Sequence, residues 1–225
     1  MLEVLHSPDL TPYPQALAFM EARAAAIASD NAPECLWFLQ HPSLYTAGTS
    51  AKPEELLAPN KFPIYKAGRG GAYTYHGPGQ RVVYVMLDLR KQKRDVRAFV
   101  HKIEQWVIAS LATFNVQAHT TEGRIGIWVD NPSKGIGRAD KIGAIGLRVR
   151  RWVSFHGLAI NVDMDLENFN GIIPCGIADQ DVTQLKDLHP NASIAALDDA
   201  LLVQFKTLFK LHHDVINREF IVNPA

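Results

Sequence analysis

The chain is short of cysteine, of net charge and of long apolar runs, and each shortage excludes something. Cys35 and Cys175 are the only cysteines in 225 residues, far too few for a disulfide-stapled framework. A reduced, cytoplasmic setting is the default for such usage, and it leaves a thiol available for chemistry. Lysine plus arginine equals aspartate plus glutamate at 23 each, for a formal net charge of zero. The chain as a whole therefore has no bias toward nucleic acid or a membrane surface. No apolar run approaches the roughly 18 residues of a membrane-spanning helix. The opening MLEVLHSPDLTPYP lacks the basic and then apolar order of a secretory signal. No internal repeat, heptad pattern or low-complexity stretch is present. What remains is 47% hydrophobic and 20% charged, the composition of a globular protein with a full core. The length fits a single domain over residues 1–225.

Periodicity predicts a helix over residues 13–30, where Leu17, Met20, Ala24 and Ile27 recur at spacings of three and four. Apolar runs at 34–41 and 62–67 predict strands, the first holding Cys35 as a core residue. Residues 41–48 are turn-rich, and a short helix is expected over 53–57. RVVYVMLDL at 81–89 is the strongest strand signal, apolar on both faces and so central in its sheet. Val96, Val100, Ile103, Val107 and Leu111 predict a helix reaching about residue 114. Strands are expected at 122–130, 141–151 and 153–163, with a mobile glycine-rich linker at 133–140, and a last helix at 194–210. The polar tail from Asn217 is expected to fray. Adjacent strands without intervening helices favour an α/β or α+β arrangement with a mixed sheet over a doubly wound parallel one.

Three segments carry candidate chemistry. In GIIPCGI at 171–177, Cys175 sits between a residue with fixed φ and one that leaves room beside the sulfur. That suits a nucleophile, and it also suits a small residue in a tight bend. In RGGAYTYHGPGQ at 69–80, the glycines argue for close backbone approach to a ligand, with Arg69 and His76 as orienting groups. The spacing matches neither a dinucleotide fingerprint nor a P-loop. In KIGAIGLRVRR at 141–151, Lys141 opens a strand whose glycines mark a backbone pressed against something else.

The residues leave three constellations open around Cys175. His156 or His76 could serve as its base. A metal could be held by Cys175, His76 and His156, although no C-x-x-C or H-x-x-x-H ligand spacing occurs. Or Lys141 could activate it, since a nearby ammonium favours the thiolate. A free thiol with pKa ~8.5 is only a few per cent ionised at neutral pH, and lowering it by about 1.5 units makes roughly half of it thiolate.

The blocks RGGAYTYHGPGQRVVYVMLDL, KIGAIGLRVRRWVSFHGLAINVD and GIIPCGI resemble, in order and spacing, the signature blocks of the octanoyltransferases of lipoate biosynthesis, the lipoyl(octanoyl) transferase family. They span residues 69–177. The resemblance implies a mixed β-sheet flanked by helices, like the catalytic domain of biotin and lipoate protein ligases. It implies transfer of an octanoyl group from octanoyl-acyl carrier protein to a specific lysine of a lipoyl domain. The acceptors it implies are lipoyl domains of 2-oxoacid dehydrogenase complexes and the glycine cleavage H protein. Cys175 matches the family's thioester nucleophile, and Lys141 the lysine that activates it and shuttles protons. Arg69, Gly70, Gly71, Ala72, Tyr73, Thr74, Tyr75 and His76 match its substrate-binding loop. Ala144, Ile145 and Gly146, with Gly157, Leu158 and Ala159, match two further contacts around the acyl chain. No metal, nucleotide or other cofactor is implied, because a thioester is already activated. Arg148, Arg150, Arg151 and the basic run at 90–97 are expected to dock acidic protein partners. The alternatives are an ATP-dependent lipoate or biotin ligase of the same fold, a cysteine hydrolase using His156 or His76, and a non-catalytic binder of acyl chains.

Overall fold

The computed structural model describes residues 1–173, 181–210 and 215–222. Its strands are β1 (Leu2–Leu10), β2 (Glu34–Gln40), β3 (Leu44–Ala47), β4 (Ile64–Lys66), β5 (Tyr73–His76), β6 (Gln80–Met86), β7 (Ala118–Thr121), β8 (Arg124–Asp130), β9 (Ala139–Arg150), β10 (Val153–Asn161) and β11 (Val215–Glu219). The α-helices are α1 (Tyr13–Ala28), α2 (Val96–Ala112), α3 (Leu185–Leu188) and α4 (Ile194–Leu208). Eight strands form one sheet in the order β11-β1-β2-β6-β10-β9-β8-β7, and the remaining three form a small sheet in the order β4-β3-β5. The large sheet is mixed: β1 runs parallel to both β2 and β11, and the pairs from β2 to β7 are antiparallel. No helix among the described residues is long and apolar enough to cross a membrane.

Side chains alternate across a strand, and each face of the large sheet meets its own helices. On β2, Leu36 and Phe38 join a core with Trp106 and Leu111 of α2 and Leu201 and Phe205 of α4. The intervening Cys35, Trp37 and Leu39 join a second core under α1. Cys35 is thus the packed hydrophobe expected, and burial pushes its thiol up to about 12. The α2–α4 pair is tied by the Trp106 indole, which donates to the Leu201 carbonyl at 2.7 Å. Caps start both helices: Asp95 accepts from Ala98 N–H and Ser193 from Ala196 N–H. The inward positions of α1 are Ala16, Met20, Ala24 and Ile27, and the two alanines let it lie close to the sheet. Trimming the fully buried Met20 to alanine is expected to cost about 2–5 kcal/mol.

All seven residues of β6 are buried, so the expected central strand is central. The strands β1 and β7 stand where no element was expected, and three further segments differ from expectation. Residues 44–47 form β3, pairing with β4 and β5; Tyr45 and Thr46 are strand formers whose partners are remote in sequence. The supposed linker is a closed hairpin loop, with Asn131 N–H donating to Arg138 O and Lys134 ion-paired to Asp140 and Asp181. The tail is β11, registered from Leu2↔Val215 to His6↔Glu219. It is polar because it is an edge strand, held by backbone hydrogen bonds and by Phe220 packing on Trp37 and Phe19.

Candidate functional site

On the α1 face of the sheet, the β9–β10 register sets Ala144 opposite Ala159 and Gly146 opposite Gly157. Directly opposed residues share a face, so two methyl groups and two bare backbones form the floor of a trough. Val82 and Tyr84 of β6, opposite Ala159 and Gly157, continue it. Lys141, His156, Tyr13, Arg69, Gly70, Gly71, Ala72, Tyr73, Thr74 and His76 line the same cavity. Ile145 and Leu158 border it too, although both belong to the core on the opposite face. Tyr75 alone of the expected binding loop stands apart. It is buried in the aromatic cluster of the small sheet, with its hydroxyl on Ser43 and Asn168.

Arg69 anchors the loop over the trough. Its guanidinium donates to the carbonyls of Thr46, Gly70 and Ala72 and to Thr46 Oγ1. Gly70 N–H donates to Leu147 O at 3.1 Å, fastening the loop to β9. The Arg69 stem lies on Gly146, where a Cβ would come within 2.7 Å of Arg69 Cδ.

Lys141 is buried and donates from Nζ to the Ile125 carbonyl at 2.9 Å, with Nζ 5.3 Å from the Trp128 ring centroid. Its backbone is clamped by the segment that follows the cysteine motif: Lys141 N–H donates to Asp181 O and Thr183 N–H to Lys141 O, both at 2.9 Å. On the other flank, Ile173 N–H donates to Glu55 O at 2.7 Å. Cys175 lies outside the described residues.

Sequence reasoning missed a buried polar network around the cavity. His76 Nδ1 meets Gln80 Oε1 at 2.7 Å, Gln80 donates to Asn161 Oδ1, and Asn161 donates to Thr183 O. His41 Nδ1 meets the Thr11 carbonyl and its Nε2 meets Tyr84 Oη at 2.6 Å, so Nδ1 carries the proton and Tyr84 donates. Burial, with His41 beside it, pushes His76 down to about 3. Burial alone outweighs the Thr11 bond and takes His41 to about 4, and burial with Arg69 takes His156 to about 4. All three are neutral at neutral pH. Among the described residues, no three His, Cys, Asp or Glu side chains are grouped to hold a metal ion.

The basic residues divide. Arg90 is locked to Asp88, Asp30 and the end of α1. Arg148 stacks on Phe155 and faces Glu21. Arg150 is exposed but lies nine residues along β9 from Lys141, about 30 Å at strand rise. That places it far from the end of the strand where Lys141 sits.

Residues 12–206 match the model of the lipoyl protein ligase A/B catalytic domain. A protein of Rhodospirillum rubrum named octanoyltransferase is 58% identical over 197 residues, covering 88% of this chain and 90% of that protein. One of Maricaulis maris with the same name is 58% identical over 205 residues, covering 90% and 89%. Among solved structures, a bipartite lipoate protein ligase of Thermoplasma acidophilum superposes with a TM-score of 0.71 over 98% of this chain and 86% of that one. At 19% identity it speaks for the fold, a mixed sheet flanked by helices. The chain belongs to the lipoyl protein ligase A/B catalytic domain family and, within it, to the acyltransferases named octanoyltransferase.

Proposed function

We propose that the chain transfers an octanoyl group from octanoyl-acyl carrier protein to a lysine of lipoyl domains, through a thioester on Cys175. The observation that carries this is the trough floored by Ala144, Gly146, Gly157 and Ala159 in the same cavity as Lys141. A saturated chain needs an apolar slot without projecting side chains, and the trough offers one. The relatives' shared name supplies the chain length.

The reaction runs in two balanced steps. Cys175 thiolate attacks the carrier-bound thioester, a new C–S bond forms, and the carrier leaves as a thiol, taking a proton from Lys141. The neutral amine of the acceptor lysine then attacks the acyl-enzyme. Its proton passes to Lys141, an amide forms, and Cys175 departs as thiolate. The enzyme returns to its starting protonation state. The acceptors on this reading are lipoyl domains of 2-oxoacid dehydrogenase complexes and the glycine cleavage H protein, met in the cytoplasm. The whole chain from 1 to 225 acts as one catalytic domain.

Neither step needs nucleotide activation. Incubating the purified protein with octanoyl-carrier protein and an isolated lipoyl domain should give octanoylated domain without ATP. An absolute ATP requirement would sink the proposal in favour of a ligase. Release of free octanoate with no amide product would favour a hydrolase.

A further inference from the structure

β10 ends before it reaches Lys141. Its last pairs set Ile160 opposite Gly143 on β9 and Asn161 opposite Gln80 on β6, so the place beside Lys141 falls to another segment. Residues 181–183 take it. Val182 bridges to Lys141 in the parallel sense, through Lys141 N–H to Asp181 O and Thr183 N–H to Lys141 O. This limb follows Cys175 by six to eight residues. Two backbone hydrogen bonds at the end of a sheet hold a segment weakly, and one side chain adds to them. Asn161, 4% exposed, donates from Nδ2 to Thr183 O at 3.0 Å. Thr183 is thereby held at both its N–H and its carbonyl.

The Asn161 amide has only one workable orientation. Gln80 Nε2 donates to Tyr75 O at 3.2 Å, which fixes Gln80 with its Oε1 on His76 Nδ1 and its other N–H on Asn161 Oδ1 at 3.0 Å. Turning Asn161 over would set its NH2 against that of Gln80 and its oxygen against the Thr183 carbonyl, two repulsive contacts in place of two hydrogen bonds. Gln80 and Thr183 are buried, where an unmade hydrogen bond is most costly. From His76 through Gln80, Asn161 and Thr183 to Lys141, each link donates in the same direction, and such links reinforce one another.

We propose that Asn161 is a positioning residue for the transfer. By fixing Thr183 it registers the limb behind Cys175 against Lys141, and so sets thiol and ammonium relative to each other. It acts through Thr183 and not by contact with the reacting atoms. This rests on the reading above in which Lys141 activates Cys175.

The test compares two buried hydrogen-bonding side chains of β10 in the full chain. Asn161→Ala removes the bond to Thr183. Ser154→Ala, at the other end of the strand, removes the bonds of Ser154 Oγ to Val85 O and from Leu87 N–H, and is the control for lost stability. The pH profile of Cys175 alkylation by iodoacetamide gives the midpoint of the thiol, and hydrogen exchange gives the protection of the Thr183 amide. In Asn161→Ala the midpoint should rise by about one pH unit and the Thr183 amide should exchange faster. Its kcat should fall by about tenfold or more, with KM for octanoyl-carrier protein kept within about twofold. Ser154→Ala should lower the melting temperature and leave the other readings unmoved. Should alanine leave too large a gap for folding, Asn161→Leu, uncharged and similar in size, carries the same expectation. A midpoint and kcat unmoved in the Asn161 variants would overturn the proposal, and so would an equal shift in Ser154→Ala. An ordinary thiol midpoint in the unaltered protein would instead remove Lys141 as the activator, and the positioning role with it.

Discussion

A Cβ added to Gly126 would lie 2.4 Å from Lys141 Cε and 2.9 Å from Nζ. The bare backbone of β8 is therefore what lets the lysine side chain cross to the Ile125 carbonyl and the cavity. Gly126 also sits at φ +131°, so a side chain there is strained as well as obstructed. Gly126→Ala should cost about 1–3 kcal/mol of stability and lower acyl transfer at least tenfold by displacing Nζ. Gly123 is the control: it has φ +73° and nothing within 4 Å of an added Cβ. Gly123→Ala carries strain without collision, so its melting temperature should fall while its transfer rate is kept. Equal losses of activity in both variants would show that strain alone matters.

Lys141 has two proposed duties, and arginine separates them. An arginine stays charged throughout the physiological range, so Lys141→Arg should keep much of the thiolate character of Cys175, read as its alkylation rate by iodoacetamide. It cannot pass a proton to and fro, so transfer to the lipoyl domain should fall by about a hundredfold or more. Lys141→Ala should lose both. An arginine variant with near-normal transfer would remove the proton shuttle from the mechanism.

The Arg69 side chain crosses the trough at Gly146. An alanine there would push on Arg69 Cδ from 2.7 Å, at a glycine whose φ is not in the left-handed region. Gly146→Ala should shift donor preference from eight carbons toward six, seen as a reversal of the kcat/KM ratio for the two donors. A uniform loss for every chain length would place the acyl chain elsewhere.

The neutral histidines tie stability to pH. His41, His76 and His156 have folded pKa values of about 4, 3 and 4, below the 6.5 of the unfolded chain. As pH falls below 6.5 the unfolded state takes up protons that the folded state refuses, so stability drops. Between pH 6.5 and 5 the three histidines together cost about 5 kcal/mol. Asp198 works the other way. Burial raises it to about 6 against the pull of Arg81, so its protonation as pH falls through 6 offsets part of that loss, about 1 kcal/mol by pH 5. The net loss should be on the order of 4 kcal/mol, measured as urea midpoints at pH 6.5 and 5. A flat profile would contradict the assigned neutral states.

Local signals served best where a side chain's environment is set by its own segment. The stripe Met20, Ala24, Ile27 and the apolar run of β6 reported burial directly, and both elements appear at nearly the expected bounds. The same signals misled where partners are distant. Residues of β3 and β11 carry little apolar pattern because strands more than fifteen residues away complete them. Within the site, the glycine-rich motif pointed to the right loop. Alternation along β5 then turned Tyr75 into the aromatic cluster, on the face opposite Thr74 and His76. Tyr13, His41 and Gly126 gave no warning, since each matters through a contact made across the fold.

The thioester on Cys175 is the central claim, and intact-mass spectrometry after brief exposure to octanoyl-carrier protein, without acceptor or ATP, tests it most directly. The two-step mechanism predicts a mass increase of one octanoyl group, removed by hydroxylamine, localised to Cys175 by peptide mapping and absent from Cys175→Ser under the same brief exposure. A protein that delivers octanoyl groups to a lipoyl domain at full rate after Cys175→Ala, with no covalent intermediate, would contradict it.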